Sequence, residues 1–240
     1  MRIETRNLLA EFLLEALDDH GVAEALRCFA RYCRSLDIEP TPVSVDAFVA
    51  SASVTAHHQV VEALRHHALF TWEKSNGATT LTLQPRFKVE YREIAARLVR
   101  YVAVIDTWYL LNRSPGSTSA RELALQKGAL LFNYHLFFEV HEILEEQWKQ
   151  ESGDVRLFLQ GLIQIAVAFH HLGNRNFRGA TSLLHDGLAK ITPYQPEFLA
   201  VKLQSFIARL EICQQELQQF GPEHFQQFAL EMIPLIEFVR

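Results

Sequence analysis

The chain has 240 residues, of which 49% are hydrophobic and 21% are charged, and its net charge is −5 at pH 7. This composition favours a compact protein with one large core or two smaller ones, and the chain has no low-complexity tract. The acidic balance and the lack of a basic run argue against tight nucleic-acid binding through bulk electrostatics.

Helical periodicity dominates the start of the chain. In "TRNLLAEFLLEAL" (5–17) and "VAEALRCFARYCRSL" (22–36), apolar residues recur every three or four positions, which is typical of amphipathic helices. Two prolines then end the pattern. Two short helices are predicted next, in 43–53 and 55–69, the second with Thr55 as its N-cap.

A β-hairpin is predicted at about 69–84. Two β-prone runs flank Asn76-Gly77 in "LFTWEKSNGATTLTLQP", and Asn-Gly is a strong signal for a tight hairpin turn. A helix, a turn, a second helix and a hairpin are in the order of a winged helix-turn-helix. With the helix predicted from 88 to 111, they form an N-terminal module of residues 1–111.

The net charge of this module indicates which class of macromolecule it binds. Residues 40–90 contain four Lys or Arg and four Asp or Glu, so their net charge is zero. Phosphate neutralisation supplies much of the affinity of a DNA-binding face, so we expect a protein partner or a homodimer more than DNA.

The second half of the chain reads as a helical domain of residues 120–240. A Ser-, Gly- and Pro-rich linker is predicted at 112–119, and Ser119 with Glu122 forms a capping box that opens the next helix. The predicted helices are 120–134, 135–151, 154–172, 176–191, 196–219 and 222–239. The predicted fold class is therefore mainly α, a multi-helical array behind a helical, winged-helix-like module with one small β-hairpin.

The stretch "FFEVHEILEEQW" (137–148) has the highest density of potential metal-binding or acid–base side chains in the sequence. At about 100° per residue, His141 falls on the apolar stripe of this helix, and Glu145 lies one turn further on. Together with Glu142 they form H-E-x-x-E, which resembles the H-E-x-x-H of zinc proteases with a carboxylate in place of the second histidine. Glutamate oxygens bind zinc, iron and manganese, so the exchange is chemically acceptable. We expect Glu139 and Glu146 to lie in solvent.

The following apolar helix, "DVRLFLQGLIQIAVAFHHLG", carries a polar stripe of its own. Gln160, Gln164 and His171 project within a sector of about 40°, whereas His170 points about 100° away from His171 and is expected to pack or face solvent. A short connection makes the two helices antiparallel neighbours. The cluster on the first helix is therefore predicted to face Gln164 or His171.

Three stretches in this order resemble a known family. "FNYHLFFEVHEILEEQW", "RLFLQGLIQIAVAFHH" and "NRNFRGATSLLHDGL" are similar to the domain of unknown function numbered 309, over about residues 125–192. The resemblance implies a compact all-helical domain and no established activity. This chain departs from the family pattern at His135, where a small residue is usual, and at Arg175, where a glycine often precedes the asparagine. The family's polar positions fall on Asn133, Glu139, His141, Glu142, Glu145, Gln160, Gln164, His171 and Asn176.

The leading hypothesis is a ligand- or metal-binding helical domain fused to an interaction or regulatory module. Its candidate cofactor is a divalent transition metal held by His141, Glu145 and His171. The predicted pocket is lined by His141, Glu142, Glu145, Gln160, Gln164 and His171.

Three alternatives stay open. The first is a metal-dependent hydrolase in which Glu142 is the general base that activates a metal-bound water. The second is a winged-helix regulator that binds DNA. The third is a structural scaffold in which the His–Glu–Gln network only fixes helix packing.

The expected compartment follows from cysteine usage and hydropathy. Three cysteines, an odd number, predict free thiols in a reducing cytoplasm. No window reaches the roughly 18 uninterrupted apolar residues of a spanning helix, so no membrane contact is expected.

Overall fold

The computed structural model of the chain describes residues 1–34, 40–53, 56–75, 77–112 and 118–239. It forms two compact units, Met1–Arg113 and Ser114–Arg240. Eleven α-helices and five short antiparallel strands occur in the described residues, which confirms the mainly α class.

The N-terminal unit combines helices with one antiparallel sheet. The strand order is β1-β3-β2, with Val43 opposite Leu81 and Phe70 opposite Leu83. The elements of this unit, in chain order, are α1 (Ile3–Ala16), α2 (His20–Arg34), β1 (Val43–Ser44), α3 (Val45–Val49), α4 (His57–His66), β2 (Phe70–Ser75), β3 (Ala78–Leu83), α5 (Pro85–Lys88) and α6 (Tyr91–Leu111).

The core of this unit follows from the apolar stripes of its helices. Phe12 of α1, Phe29 of α2 and Tyr101 of α6 are fully buried. Phe29 meets Phe70 of the hairpin edge to face, with ring centroids 5.0 Å apart. The helical stripes and the inner face of the sheet therefore share one core.

The predicted hairpin is confirmed by the pairing of β2 with β3. Gly77 has a φ of 80°, a conformation that glycine adopts without steric cost. Thr55 and Asn76, the predicted cap and turn residues, lie outside the described residues, as does most of the predicted linker. The short helix α5 was not predicted, and it has proline in its first turn, where no backbone N–H is required.

The C-terminal unit is a succession of helices. Each packs against the next in the chain, from α7 to α11, so sequence neighbours are also neighbours in space. The predicted capping box is confirmed at the start of α7. The elements of this unit are α7 (Ala120–Asn133), α8 (Phe137–Gln150), α9 (Gly153–Gly173), α10 (Phe177–Ile191), β4 (Glu197–Phe198), β5 (Val201–Lys202) and α11 (Gln204–His224).

Two glycines let α9 and α10 approach closely. A Cβ atom on Gly187 would lie 2.8 Å from the backbone oxygen of Gly161, and a Cβ on Gly161 would lie 2.5 Å from a methyl carbon of Ile191. Real Cβ atoms do not reach such distances without displacing their neighbours. Only glycine therefore fits these two positions without displacing a neighbour, which is backbone at Gly187 and the side chain of Ile191 at Gly161.

The predicted helix 196–219 is confirmed only from Gln204, where α11 begins. Residues 196–203 do not open a helix but form the β4–β5 hairpin, whose central residues Leu199 and Ala200 have φ of 49° and 61°. Positive φ at both positions gives a primed turn, which Asn-Gly normally signals, and Leu-Ala carries no such signal.

The predicted helix 222–239 was wrong. Gly221 has a φ of 64° and interrupts the end of α11, and 3₁₀ turns follow it. The chain then runs beside the β4–β5 hairpin, where the N–H of Lys202 donates to the carbonyl of Glu237 (2.9 Å) and the N–H of Val239 donates to Ala200 (2.8 Å). Backbone pairing with a distant segment thus outcompetes helix formation.

One helix among the described residues, Gly153–Gly173, has the length and mean hydropathy (1.3) of a membrane-spanning segment. Half of that window is buried within the structure. A core helix of this kind passes the same test, so the finding is weak evidence for a membrane.

The three cysteines are free and buried. Burial raises the pKa of the Cys33 thiol to about 12 and that of Cys213 to about 11. These two thiols are therefore protonated at neutral pH and poor nucleophiles.

Candidate functional site

The predicted cluster assembles on α8. The Nδ1 atom of His141 lies 2.9 Å from a carboxylate oxygen of Glu142, and its Nε2 atom lies 3.6 Å from one of Glu145. The imidazole therefore bridges two carboxylates on one helix face. Lys149, a turn further on, lies 3.3 Å from the other oxygen of Glu145. We call His141, Glu142 and Glu145 the α8 acidic surface.

This surface lies at the edge of the core. The side chains of His141, Glu142 and Glu145 are 31%, 41% and 35% exposed. Val140 and Leu144, on the same helix, are buried. The prediction that His141 belongs to the buried stripe is therefore only partly right, because its ring reaches solvent.

The prediction for Glu139 was wrong. Its side chain is fully buried, whereas Glu146 is exposed as expected. Helix α7 carries a buried Lys127, and α7 packs against α8. Glu139 therefore belongs to the interior of the unit and not to a solvent face. Burial of a carboxylate is costly unless it is paired or hydrogen-bonded.

The structure places His171 on the side of α10. A Cβ atom on Gly179 of α10 would lie 2.9 Å from the imidazole of His171. The Nδ1 atom of His171 lies 3.2 Å from the side-chain amide of Asn176, and Asn176 in turn accepts a hydrogen bond from the N–H of Gly179 (3.0 Å) as the N-cap of α10. His171 thus packs over a helix start.

His170 is the histidine that approaches α8. Its ring centroid lies 5.8 Å from that of Phe138, whose ring lies 6.4 Å from that of His141. The Nε2 atom of His170 also lies 2.9 Å from the amide of Asn174. The predicted packing role of His170 fits these contacts.

The two glutamines of α9 are half-buried. The side-chain oxygen of Gln164 is shielded from solvent and accepts no hydrogen bond in the described residues. No hydrogen bond between Gln160 or Gln164 and the α8 acidic surface occurs in that part of the chain. The predicted support of the cluster by these amides is thus not made by a direct hydrogen bond in the described residues.

Other polar side chains of this unit have structural partners, among them Asn133 of the family pattern. Asn133 pairs with the backbone of Ile236 through two hydrogen bonds, of 3.0 and 2.8 Å. At the far end of α8, Arg121 holds Glu151 in a bidentate pair of 2.7 and 2.9 Å, and Gln147 donates to the same carboxylate (2.6 Å). The hydrogen bonds from Arg121, followed by that from Gln147, lower the pKa of Glu151 although its partial desolvation acts the other way.

The two departures from the family pattern have the same backbone geometry. His135 and Arg175 have φ of 55° and 59°, in the left-handed region. Each closes a helix, because the N–H of Leu136 bonds back to the carbonyl of Leu131 and that of Asn176 to His171, both at 2.9 Å. This is the Schellman motif, in which glycine is usual at the left-handed residue.

A set of residues missed by the sequence analysis lies in the N-terminal unit. Ligating atoms of Glu11, Glu15 and His66 all lie within 4.8 Å of one another. Among the described residues, His141, Glu145 and His171 do not form such a group. Glu11 and Glu15 are one helical turn apart on α1, which was a usable signal, but only the fold brings them to His66.

Comparison with known proteins places the family in the C-terminal unit. Residues 125–183 match the model of the family described as "Domain of unknown function (DUF309)". This confirms the resemblance read from the motifs. An uncharacterized protein of Bacillus subtilis (strain 168), YpuF, is 42% identical over 53 residues, which make up 22% of this chain and 30% of that protein. The match spans less than a third of this relative, and neither description names an activity.

Proposed function

We propose that this is a binding protein whose C-terminal unit takes a cationic ligand, foremost a divalent transition metal, on the α8 acidic surface. The observation that carries the proposal is the position of the His141 ring between the carboxylates of Glu142 and Glu145, with all three side chains partly exposed.

The chemistry of this arrangement favours a metal. Histidines that bind metals commonly donate their second ring N–H to a carboxylate, which fixes the ring and raises its basicity. Glu142 at Nδ1 of His141 is suited to that supporting role, which leaves Nε2 and Glu145, one turn away, as two ligands. Two protein ligands bind weakly and leave coordination positions open to a further ligand.

The hydrolase alternative has less support. It requires His171 as a third ligand, but His171 packs over Gly179 and Asn176 at the start of α10. It also assigns Glu142 the role of general base, whereas Glu142 contacts the imidazole itself.

A zinc titration of the full-length, metal-free chain tests the proposal, with His141→Ala and Glu145→Gln as variants. Glu146→Gln is the matched control, because Glu146 is exposed on the same helix outside the cluster. We expect both variants, and not the control, to lose zinc-dependent protection of α8 from hydrogen exchange. A destabilised His141→Ala chain, together with no zinc effect on α8 in the unchanged protein, would instead identify the cluster as a packing network.

For the N-terminal unit we propose an interaction module of the winged-helix kind. The β1-β3-β2 order, with α3 and α4 before the β2–β3 hairpin, supports it. On α4 and the hairpin, Arg65 and Lys74 are balanced by Glu62 and Glu73, so a protein partner or a second copy of the chain fits better than DNA.

Anisotropy titration with a random-sequence DNA duplex at low salt discriminates these partners. Non-specific DNA binders reach dissociation constants of about 10 μM through contacts of Lys and Arg with phosphate. Because the positive charges of α4 and the hairpin are balanced, we expect no saturable binding below that concentration. Sub-micromolar, salt-sensitive binding would make this unit a DNA reader. Light scattering over a range of concentrations would detect a homodimer.

A further inference from the structure

A second histidine–glutamate cluster lies in the N-terminal unit, between α1 and the end of α4. Glu11 and Glu15 occupy one face of α1, and the Nε2 atom of His66 lies 3.8 Å from one carboxylate oxygen of Glu15. One ligating atom from each of Glu11, Glu15 and His66 falls within 4.8 Å of the others. The cluster therefore joins two helices that are about 50 residues apart in the sequence.

His67 provides an independent observation at the same place. Its side chain is only 2% exposed and stacks on Phe12, with ring centroids 4.1 Å apart. Its Nε2 atom lies 3.1 Å from the second carboxylate oxygen of Glu15, but the angles are not those of a hydrogen bond, and this atom has no other hydrogen-bond partner in the described residues. Buried polar atoms normally have a hydrogen-bond partner, so a buried ring nitrogen that lies this close to a carboxylate without bonding to it indicates a polar site.

The carboxylates of the cluster have no lysine or arginine partner in the described residues. Neither Glu11 nor Glu15 forms an ion pair with a lysine or arginine in the described residues, in contrast to Glu145, which has Lys149. Arg65, next to His66 in the chain, places its guanidinium over the ring of Trp72, 4.5 Å from the centroid. Two carboxylates and an imidazole thus lie together without a lysine or arginine beside them in the described residues.

We propose that Glu11, Glu15 and His66 form a binding site for a divalent transition metal ion of the zinc type. Zinc binds carboxylate oxygen and imidazole nitrogen at about 2.0–2.2 Å, so the ligand atoms of a tetrahedral site lie roughly 3.3–3.6 Å apart. The 3.8 Å between His66 and Glu15 is close to this separation. The mixture of imidazole and carboxylate favours zinc over magnesium or calcium, which take oxygen ligands.

The consequence of the site is a metal-dependent link between α1 and α4. Three protein ligands leave the fourth zinc position to water or to a group from another molecule. Glu15 and His66 line a surface depression together with Gln59 and Glu62, so the metal is reachable from solvent. This site is separate from the α8 acidic surface and does not rest on the function proposed for it.

The test is calorimetric titration of zinc into the metal-free full-length chain and into Glu15→Gln and His66→Ala. The matched control is His58→Ala, because His58 is exposed on the same helix and forms its own contact with Glu62, at 3.4 Å. We expect zinc affinity to fall about tenfold or more in both variants and to be unchanged in the control. Hydrogen exchange should show zinc-dependent protection of α1 and the end of α4.

Two results would overturn the proposal. One is a chain that binds no zinc at α1 and α4, whatever happens at α8. The other is unchanged zinc binding in both Glu15→Gln and His66→Ala. His141→Ala removes only the α8 acidic surface. Zinc binding that is lost in this variant belongs to the function proposed for α8, and zinc binding that remains belongs to the site of Glu11, Glu15 and His66. Circular dichroism of each variant establishes that it is folded.

Discussion

Both units contain long-range contacts, such as the bonds between Asn133 and Ile236, but they differ in how their helices are joined. In the C-terminal unit, each helix from α7 to α11 packs against the next one in the chain. In the N-terminal unit, polar bonds join distant residues: the indole of Trp108 donates to the carbonyl of Leu17 (2.7 Å), and the hydroxyl of Tyr109 donates to Ala16 (3.0 Å).

The histidine–glutamate clusters follow the same division. His141, Glu142 and Glu145 lie within five residues of one another, so helical periodicity alone brings them together. Glu15 and His66 meet only because α1 and α4 share one fold. A site built from local neighbours is visible in the sequence, whereas a site built from long-range contacts is not.

The largest expected loss of stability comes from a substitution that disturbs the close packing of α9 on α10 in the C-terminal unit. In Gly187→Ala, the new methyl group meets the backbone of Gly161 and Ile165, and backbone cannot move aside as a side-chain end can. We expect a loss of about 2 kcal/mol or more in the free energy of unfolding. Urea denaturation followed by circular dichroism measures it.

Gly173→Ala is the control for this packing effect, because a Cβ atom there has no neighbour within 4 Å. Alanine in the last turn of α9 should leave stability unchanged or raise it slightly. If the two variants were equally stable, the close approach of α9 and α10 would not depend on glycine.

The second largest expected loss of stability comes from a substitution at Glu90, which makes long-range contacts in the N-terminal unit. Burial alone would raise the pKa of this carboxyl, but hydrogen bonds from Thr5 and Arg2 and the charge of Arg2 together lower it. The folded state thus binds the proton more weakly than the unfolded state. The stabilisation is present above the ordinary pKa of 4.5 and is lost as pH falls from there towards the folded pKa.

Glu90→Gln removes this contribution, because an amide cannot accept from all the donors around the carboxylate. We expect a loss of about 1–3 kcal/mol at pH 7 and a weaker dependence of stability on pH below 4.5. Thermal unfolding at a series of pH values measures both. Glu73→Gln, at an exposed position on β2, should behave as the unchanged protein does. Equal acid sensitivity of Glu90→Gln and the unchanged protein would contradict the assignment.

A smaller effect is expected from a contact that is entirely local. The hydroxyl of Ser119 accepts from the N–H of Glu122 (3.2 Å), and the carboxylate of Glu122 accepts from the N–H of Ser119 (2.8 Å). Ser119→Ala should destabilise the C-terminal unit by about 1 kcal/mol. Hydrogen exchange in the first turn of α7 should increase, while Thr118→Ala should leave it unaltered.

The smallest effect concerns the left-handed residue that closes α9. Arg175→Gly relieves the steric cost of a φ of 59° but makes the unfolded chain more flexible. We expect a net gain of about 1 kcal/mol or less, measured by urea denaturation. A clear loss of stability would show that the arginine side chain contributes more than its backbone strain costs.

The sequence by itself determined much of the fold. Apolar periodicity and the capping box located α7 to α10 within a few residues, because these helices depend on local pattern and on neighbours in the chain. The Asn-Gly turn signal located the β2–β3 hairpin for the same reason. The motif around His141 also led to the family that residues 125–183 match.

Tertiary structure decided what local pattern cannot encode. Residues 196–203 and 222–239 became strands and turns because backbone pairing with each other satisfied their hydrogen bonds better than helices did. Glu139 is buried because α8 turns that side towards the interior of its unit. The meeting of Glu11, Glu15 and His66 depends on how α1 packs near α4, and helical periodicity specifies which residues share a face but not which helix that face will meet.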